Sequence, residues 1–132
     1  MGEPIIYLSA FGSFGDIAPF VALGTALKDR GAEPISFVNP AFTDEFTKQG
    51  IEVIPVGVPI DVDTLLRENP KYLHPTNGTR FAMEDLFAPF SAQTFKAAVE
   101  AAKSRPPALC VSHHLGLGTA WLARIREIPS VV

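Results

Sequence analysis

Short apolar runs alternate with longer amphipathic stretches along most of this chain, and glycine or proline marks nearly every change between them. That alternation limits the fold more than any other feature. Residues 4–10, PIIYLSA, are apolar on successive positions, so a strand here must be covered on both faces. Residues 35–38 (ISFV), 51–56, 108–112 (ALCVS) and 130–132 read the same way. Between them, residues 17–30 place Phe20, Leu23, Ala26 and Leu27 on one helical face, with Gly31 as the stop. Residues 41–49 form a shorter helix with Phe42 and Phe46 four apart. Residues 81–103 read as a helix bent or broken at Pro89, and residues 116–126, with Trp121, as a last one. Residues 57–80 look irregular, with one or two helical turns over 63–69. Buried strands alternating with helices predict an α/β, Rossmann-like, three-layer domain on a parallel sheet. Right-handed crossovers gather the strand-to-helix loops at the C-terminal edge of that sheet, where open α/β sheets bind ligands.

Composition closes off several alternatives. A net charge of −3 argues against a nucleic-acid binder. No run approaches the roughly 18 apolar residues of a membrane helix. The single cysteine, Cys110, excludes an internal disulfide framework. The first residues carry an acid and no basic n-region, so a signal peptide is not expected. Together these favour the cytoplasm. The chain stops inside an apolar strand, and the expectation is one part of a longer protein, self-associating when isolated.

Two loops fall at the ligand edge. The first reads Gly12-Ser13-Phe14-Gly15-Asp16, which is neither the dinucleotide fingerprint nor a phosphate-binding P-loop. Its acid opposes an anion at the helix start. Locally, Asp16 reads as a helix N-cap. The cap reading does not explain why the acid stands behind a flexible glycine turn at that edge. The second loop reads Ser112-His113-His114-Leu115-Gly116. Adjacent strand residues point to opposite faces, so the pair is a weak metal site. One histidine packs or caps, and the other is free to meet Asp16 across neighbouring strand ends, as a base meets its orienter. Phe81, Phe87, Phe90 and Phe95 lie at helical spacing, which favours core over pocket. Phe14, in a turn without periodicity, is the better pocket wall.

Residues 12–57, from GSFGDIAPF to VIPVG, closely resemble the start of GT-B glycosyltransferases. The nearest group is the family 28 type, with rhamnosyl-, sterol- and antibiotic-glycosyltransferases. The pattern is an apolar strand, G-[ST]-x-G-D-x-x-P, a helix ending near Arg30-Gly31, and V-P-x-G. It resumes at residues 106–131, PPALCVSHH to IPSV. Ala32 and Pro34 depart from the family, as does the Ser112-His113-His114 loop.

The resemblance implies hexosyl transfer from a nucleotide sugar to an acceptor hydroxyl, with inversion and without a metal. Residues 1–132 would be the acceptor-binding half. It maps the family's base onto Asp16 and a steadying partner onto His113, with His114 as the alternative. Gly12, Ser13, Phe14, Gly15, His114, Phe87 and Phe90 would border the acceptor. No cofactor is implied. The co-substrate, a UDP- or dTDP-sugar, would be held by a C-terminal domain absent from this chain, so the chain alone should not transfer sugar. A lipid-like or natural-product acceptor fits the resemblance, and peripheral membrane contact would follow from such an acceptor. The competing expectations are a lone Rossmann-like module binding a small ligand, and a half-enzyme that docks a separate catalytic chain.

Overall fold

The computed structural model describes residues 2–132. Five parallel strands form one sheet in the order β3-β2-β1-β4-β5. They are β1 (Ile5–Ser9), β2 (Glu33–Val38), β3 (Glu52–Pro55), β4 (Leu109–Ser112) and β5 (Ser130–Val131). The expected α/β, Rossmann-like architecture is therefore present. The chain builds outward from β1 through β2 to β3, then crosses back to place β4 on the other side of β1. The strand order thus reverses between β1 and β4, which is the topological switch point.

Period-two alternation in β1 divides the core. Tyr7 faces one way and packs with Phe37, Phe90, Cys110 and Leu122. Ile6 and Leu8 face the other way, against Ala32, Leu23 and Leu27. Beside them, Ile17, Val38, Phe46 and Ile51 close the layer under α1 (Phe14–Asp29) and α2 (Thr43–Thr47). The opposite layer is α5 (Ala88–Ala102) with α6 (Gly118–Arg126). Each fully buried large apolar side chain contributes about 1.5–3 kcal/mol. Two glycines let helices approach closely. A Cβ on Gly24 would meet Ile51 Cδ1 at 2.7 Å, and one on Gly118 would meet Thr94 Cβ at 2.6 Å.

The first helix begins at Phe14, three residues before the predicted start. Ser13 is the N-cap, with φ −80° and ψ 176°, so most of the glycine turn is the first helical turn. Pro34 lies within β2, where only a strand start was predicted. It is tolerated because β3 pairs with β2 only from Ile35 onward, outside the reach of the missing donor. The long connection holds α3 (Val62–Glu68), and α4 (Gly78–Ala82) precedes the predicted start at residue 81. The bend foreseen at Pro89 is instead a π-helical stretch, Met83–Phe87, immediately before it. The wider turn carries the chain past a residue with no N–H to donate.

Candidate functional site

The backbone of β1 ends against a carboxylate. Gly12 has φ 137°, and a Cβ there would overlap the Asp16 carboxyl group. The glycine supplies both the conformation and the room. Asp16 is the third residue of α1, not its N-cap. Its Oδ2 accepts the Ser13 N–H at 2.9 Å and the Ser13 hydroxyl at 3.1 Å. This is the returning arm of a capping box. The Asp16 N–H itself goes to the Ser13 carbonyl at 3.0 Å.

The other oxygen faces β4. Asp16 Oδ1 lies 3.4 Å from His113 Nε2. The pair meets because β1 and β4 are neighbours in register, Ser9 opposite Ser112, so their following loops rise side by side. The Leu115 N–H points at His113 Nδ1 at 3.2 Å. That nitrogen is therefore an acceptor, and the ring proton sits on Nε2, toward Asp16. Burial, reinforced by neighbouring His114, lowers the His113 pKa from its ordinary 6.5, against the opposing pull of Asp16. At neutral pH His113 is thus a neutral imidazole whose Nε2 faces the Asp16 carboxylate at 3.4 Å. Its side chain is 13% exposed and that of Asp16 is 35% exposed. Phe20 covers the imidazole edge-on at 6.0 Å between centroids.

The remaining predicted residues divide. His114 is exposed and stacks on His113, with ring centroids 4.2 Å apart. Phe14 is 58% exposed and forms a wall shared by two hollows. One of these, about 360 Å³, is also lined by Ser13, Phe42, Ile60 and Asp61. Gly15 lies in the first turn of α1, and a Cβ there would make only an ordinary contact with Ser13 Oγ at 3.7 Å. Phe90 is 4% exposed and packs on Phe11 at 4.7 Å, while Phe87 meets Phe11 edge-on at 5.5 Å. Phe90 is core first, yet its edge reaches a 220 Å³ hollow between Phe11, Val56, Leu86 and Gln93.

Sequence reasoning passed over the polar groups that hold these loops. Asn39, buried after β2, donates to the Val58 carbonyl at 2.7 Å and accepts the Ala41 and Ile60 N–H groups at 3.0 Å. Ser9, Ser112 and Thr119 bring three buried hydroxyls together beneath the His113 loop. Their signal was present: Ser9 and Ser112 are polar residues closing two otherwise apolar strands. Cys110 is fully buried, and burial pushes its thiol up to about 12, so it is no nucleophile.

No family model and no curated protein matches this chain. Solved structures do. CalG4, the calicheamicin glycosyltransferase, superposes with a TM-score of 0.75 at 22% identity, over 98% of this chain and 32% of its own. SsfS6, a Streptomyces sp. SF2575 glycosyltransferase, gives 0.70 at 20% identity, over 97% and 38%. UGT2 of Phytolacca americana, complexed with UDP-2fluoro-glucose and pterostilbene, gives 0.70 at 16% identity, over 98% and 30%. At these identities the likeness establishes a shared fold. The chain spans about a third of the length of these structures.

Proposed function

We propose that this chain is the acceptor-binding half of an inverting GT-B glycosyltransferase of the family 28 type, with Asp16 as its base. The observation that carries the reading is the meeting of Asp16 and His113 at the switch point, with hollows at the same sheet edge lined by the loop neighbours Phe11, Ser13 and Phe14. Oδ2 already accepts two hydrogen bonds from Ser13. Oδ1 faces one donor, His113 Nε2–H, and keeps a lone pair for an acceptor hydroxyl. A carboxylate is a far weaker base than an alkoxide. The proton therefore leaves late, as the acceptor oxygen bonds to the sugar carbon and the nucleotide diphosphate departs with its electron pair. His113 does not take the proton. Its N–H fixes the carboxylate while charge shifts from acceptor to leaving group. The apolar walls, Phe14 and Phe42 on one side and Phe11 and Leu86 on the other, suit a lipid-like or natural-product alcohol. The UDP- or dTDP-sugar falls to a second domain, in keeping with the third of each neighbour's length that this chain spans.

The test is Asp16→Asn in a polypeptide carrying this chain and its donor-binding domain. Transfer should fall by about 10²–10⁴-fold, the range for loss of a general base, with acceptor binding retained. Transfer at the parent rate refutes Asp16 as the base; absence of transfer in the parent polypeptide itself leaves a ligand-binding module as the better reading.

A further inference from the structure

Three buried hydroxyls form a hydrogen-bond chain whose direction can be worked out. The Ser9 hydroxyl lies 2.6 Å from the Gly116 carbonyl, which can only accept, so the Ser9 proton goes there. The 2.7 Å contact between Ser9 and Thr119 then has Thr119 as donor. Thr119 has no second proton, so Ser112 donates across their 2.7 Å contact. The chain runs Ser112 to Thr119 to Ser9 to the Gly116 carbonyl, and spends every proton. The 3.3 Å approach of Ser9 to Ser112 is a contact without a proton of its own.

The end of this chain lies in the loop that decides the state of His113. The Gly116 N–H bonds the His113 carbonyl at 2.9 Å, and the His113 N–H bonds the Ser9 carbonyl at 2.8 Å. Between them, the Leu115 N–H reaches His113 Nδ1. Fixing the Gly116 carbonyl fixes the turn from residue 113 to 116, and with it the direction of that N–H.

We propose that Ser9, Thr119 and Ser112 are positioning residues that determine which nitrogen of His113 carries the proton. They act from beneath the site, through the turn, and touch no reacting atom. The proposal deepens the reading of Asp16 and His113 as the reacting pair. Its readout is the ring proton and not sugar transfer, so either can fail alone.

The experiment is ¹⁵N NMR of the His113 ring across a pH titration, on this chain and on Ser9→Ala, Thr119→Val, Ser112→Ala and Thr119→Ser. Thermal unfolding identifies the folded variants. The parent should show the Nε2–H form. Ser9→Ala, which frees the Gly116 carbonyl directly, should give a mixture of both tautomers. Thr119→Val should give less of the second form, Ser112→Ala least, and Thr119→Ser should restore the parent. In the same order the His113 titration midpoint should rise as the ring gains water, with Asp16 and His114 the charged and titratable neighbours that face it. If Ser9→Ala does not fold, the order of the other two carries the test. An unchanged tautomer and midpoint in every folded variant overturns the proposal, as does an equal change in all of them.

Discussion

The two edges of the sheet hold charges in opposite ways. At the N-terminal edge, Arg105 bridges Glu33 at 3.5 Å and Glu52, tying the starts of β2 and β3 to the loop before β4. The Tyr7 hydroxyl reaches the same loop and donates to the Arg105 carbonyl at 2.6 Å. There a cation meets two acids. At the C-terminal edge, Asp16 meets an imidazole that burial keeps neutral. One carboxylate oxygen retains capacity, and hollows lined by its loop neighbours Phe11, Ser13 and Phe14 open at the same edge. The lower edge is a clamp. The upper edge is an acid held in place with a lone pair to spare. The difference predicts that substitutions below change stability alone, and those above change chemistry.

The sharpest way to break the comparison above is Gly12→Ala. The new Cβ would occupy the place of the Asp16 carboxylate, on a backbone with φ 137°. Transfer should be lost, and stability should fall by about 1–3 kcal/mol, the cost of a residue forced into such a conformation. Normal kinetics in this variant would mean that the position of Asp16 is immaterial. Below, Tyr7→Phe should cost about 1 kcal/mol in denaturant unfolding, because it leaves the Arg105 carbonyl without its donor, with kinetics unchanged. The Tyr7 phenol, pushed up to about 12 by burial, stays protonated throughout the working range.

A smaller effect concerns pH. The folded pKa of His113 is below its unfolded value near 6.5, so the unfolded chain binds the proton more tightly. Its contribution to stability is complete above the unfolded value. It is lost as pH falls through 6.5 toward the folded value. His113→Gln keeps a donor and should flatten the melting temperature across that window. An unaltered slope would place the titrating group elsewhere. Smallest is a control on the short connection from α6 to β5, away from Asp16. Glu127, with φ 56°, ends α6 in the left-handed region. Glu127→Gly should raise stability by about 1 kcal/mol and leave transfer alone.

How much of this was legible follows from what each signal encodes. The strands of the inner sheet were read within one or two residues, because two-sided burial demands apolar runs. Topology indicated that one histidine of the 113–114 pair could meet Asp16, and only the family resemblance singled out His113. The start of α1 was misread by three residues, since Ser13 and Asp16 are both capping types and spacing does not say which is the cap. The π-helical stretch escaped because proline predicts an interruption without its form. The hydroxyl chain escaped because Ser9, Ser112 and Thr119 are 110 positions apart at their extremes and meet only through the β1–β4 register.

The most direct test of the contrast between the edges is to measure transfer and unfolding together for Asp16→Asn and Arg105→Ala, each in a polypeptide that joins this chain to the donor-binding domain proposed above. The account predicts that Asp16→Asn loses transfer by about 10²–10⁴-fold with nearly parental unfolding. Arg105→Ala should keep transfer and lose about 1 kcal/mol or less, since its ion pairs are partly solvent-exposed. If Asp16→Asn loses activity only in proportion to the protein that unfolds, Asp16 is a cap, and the claim that the upper edge carries the chemistry is wrong.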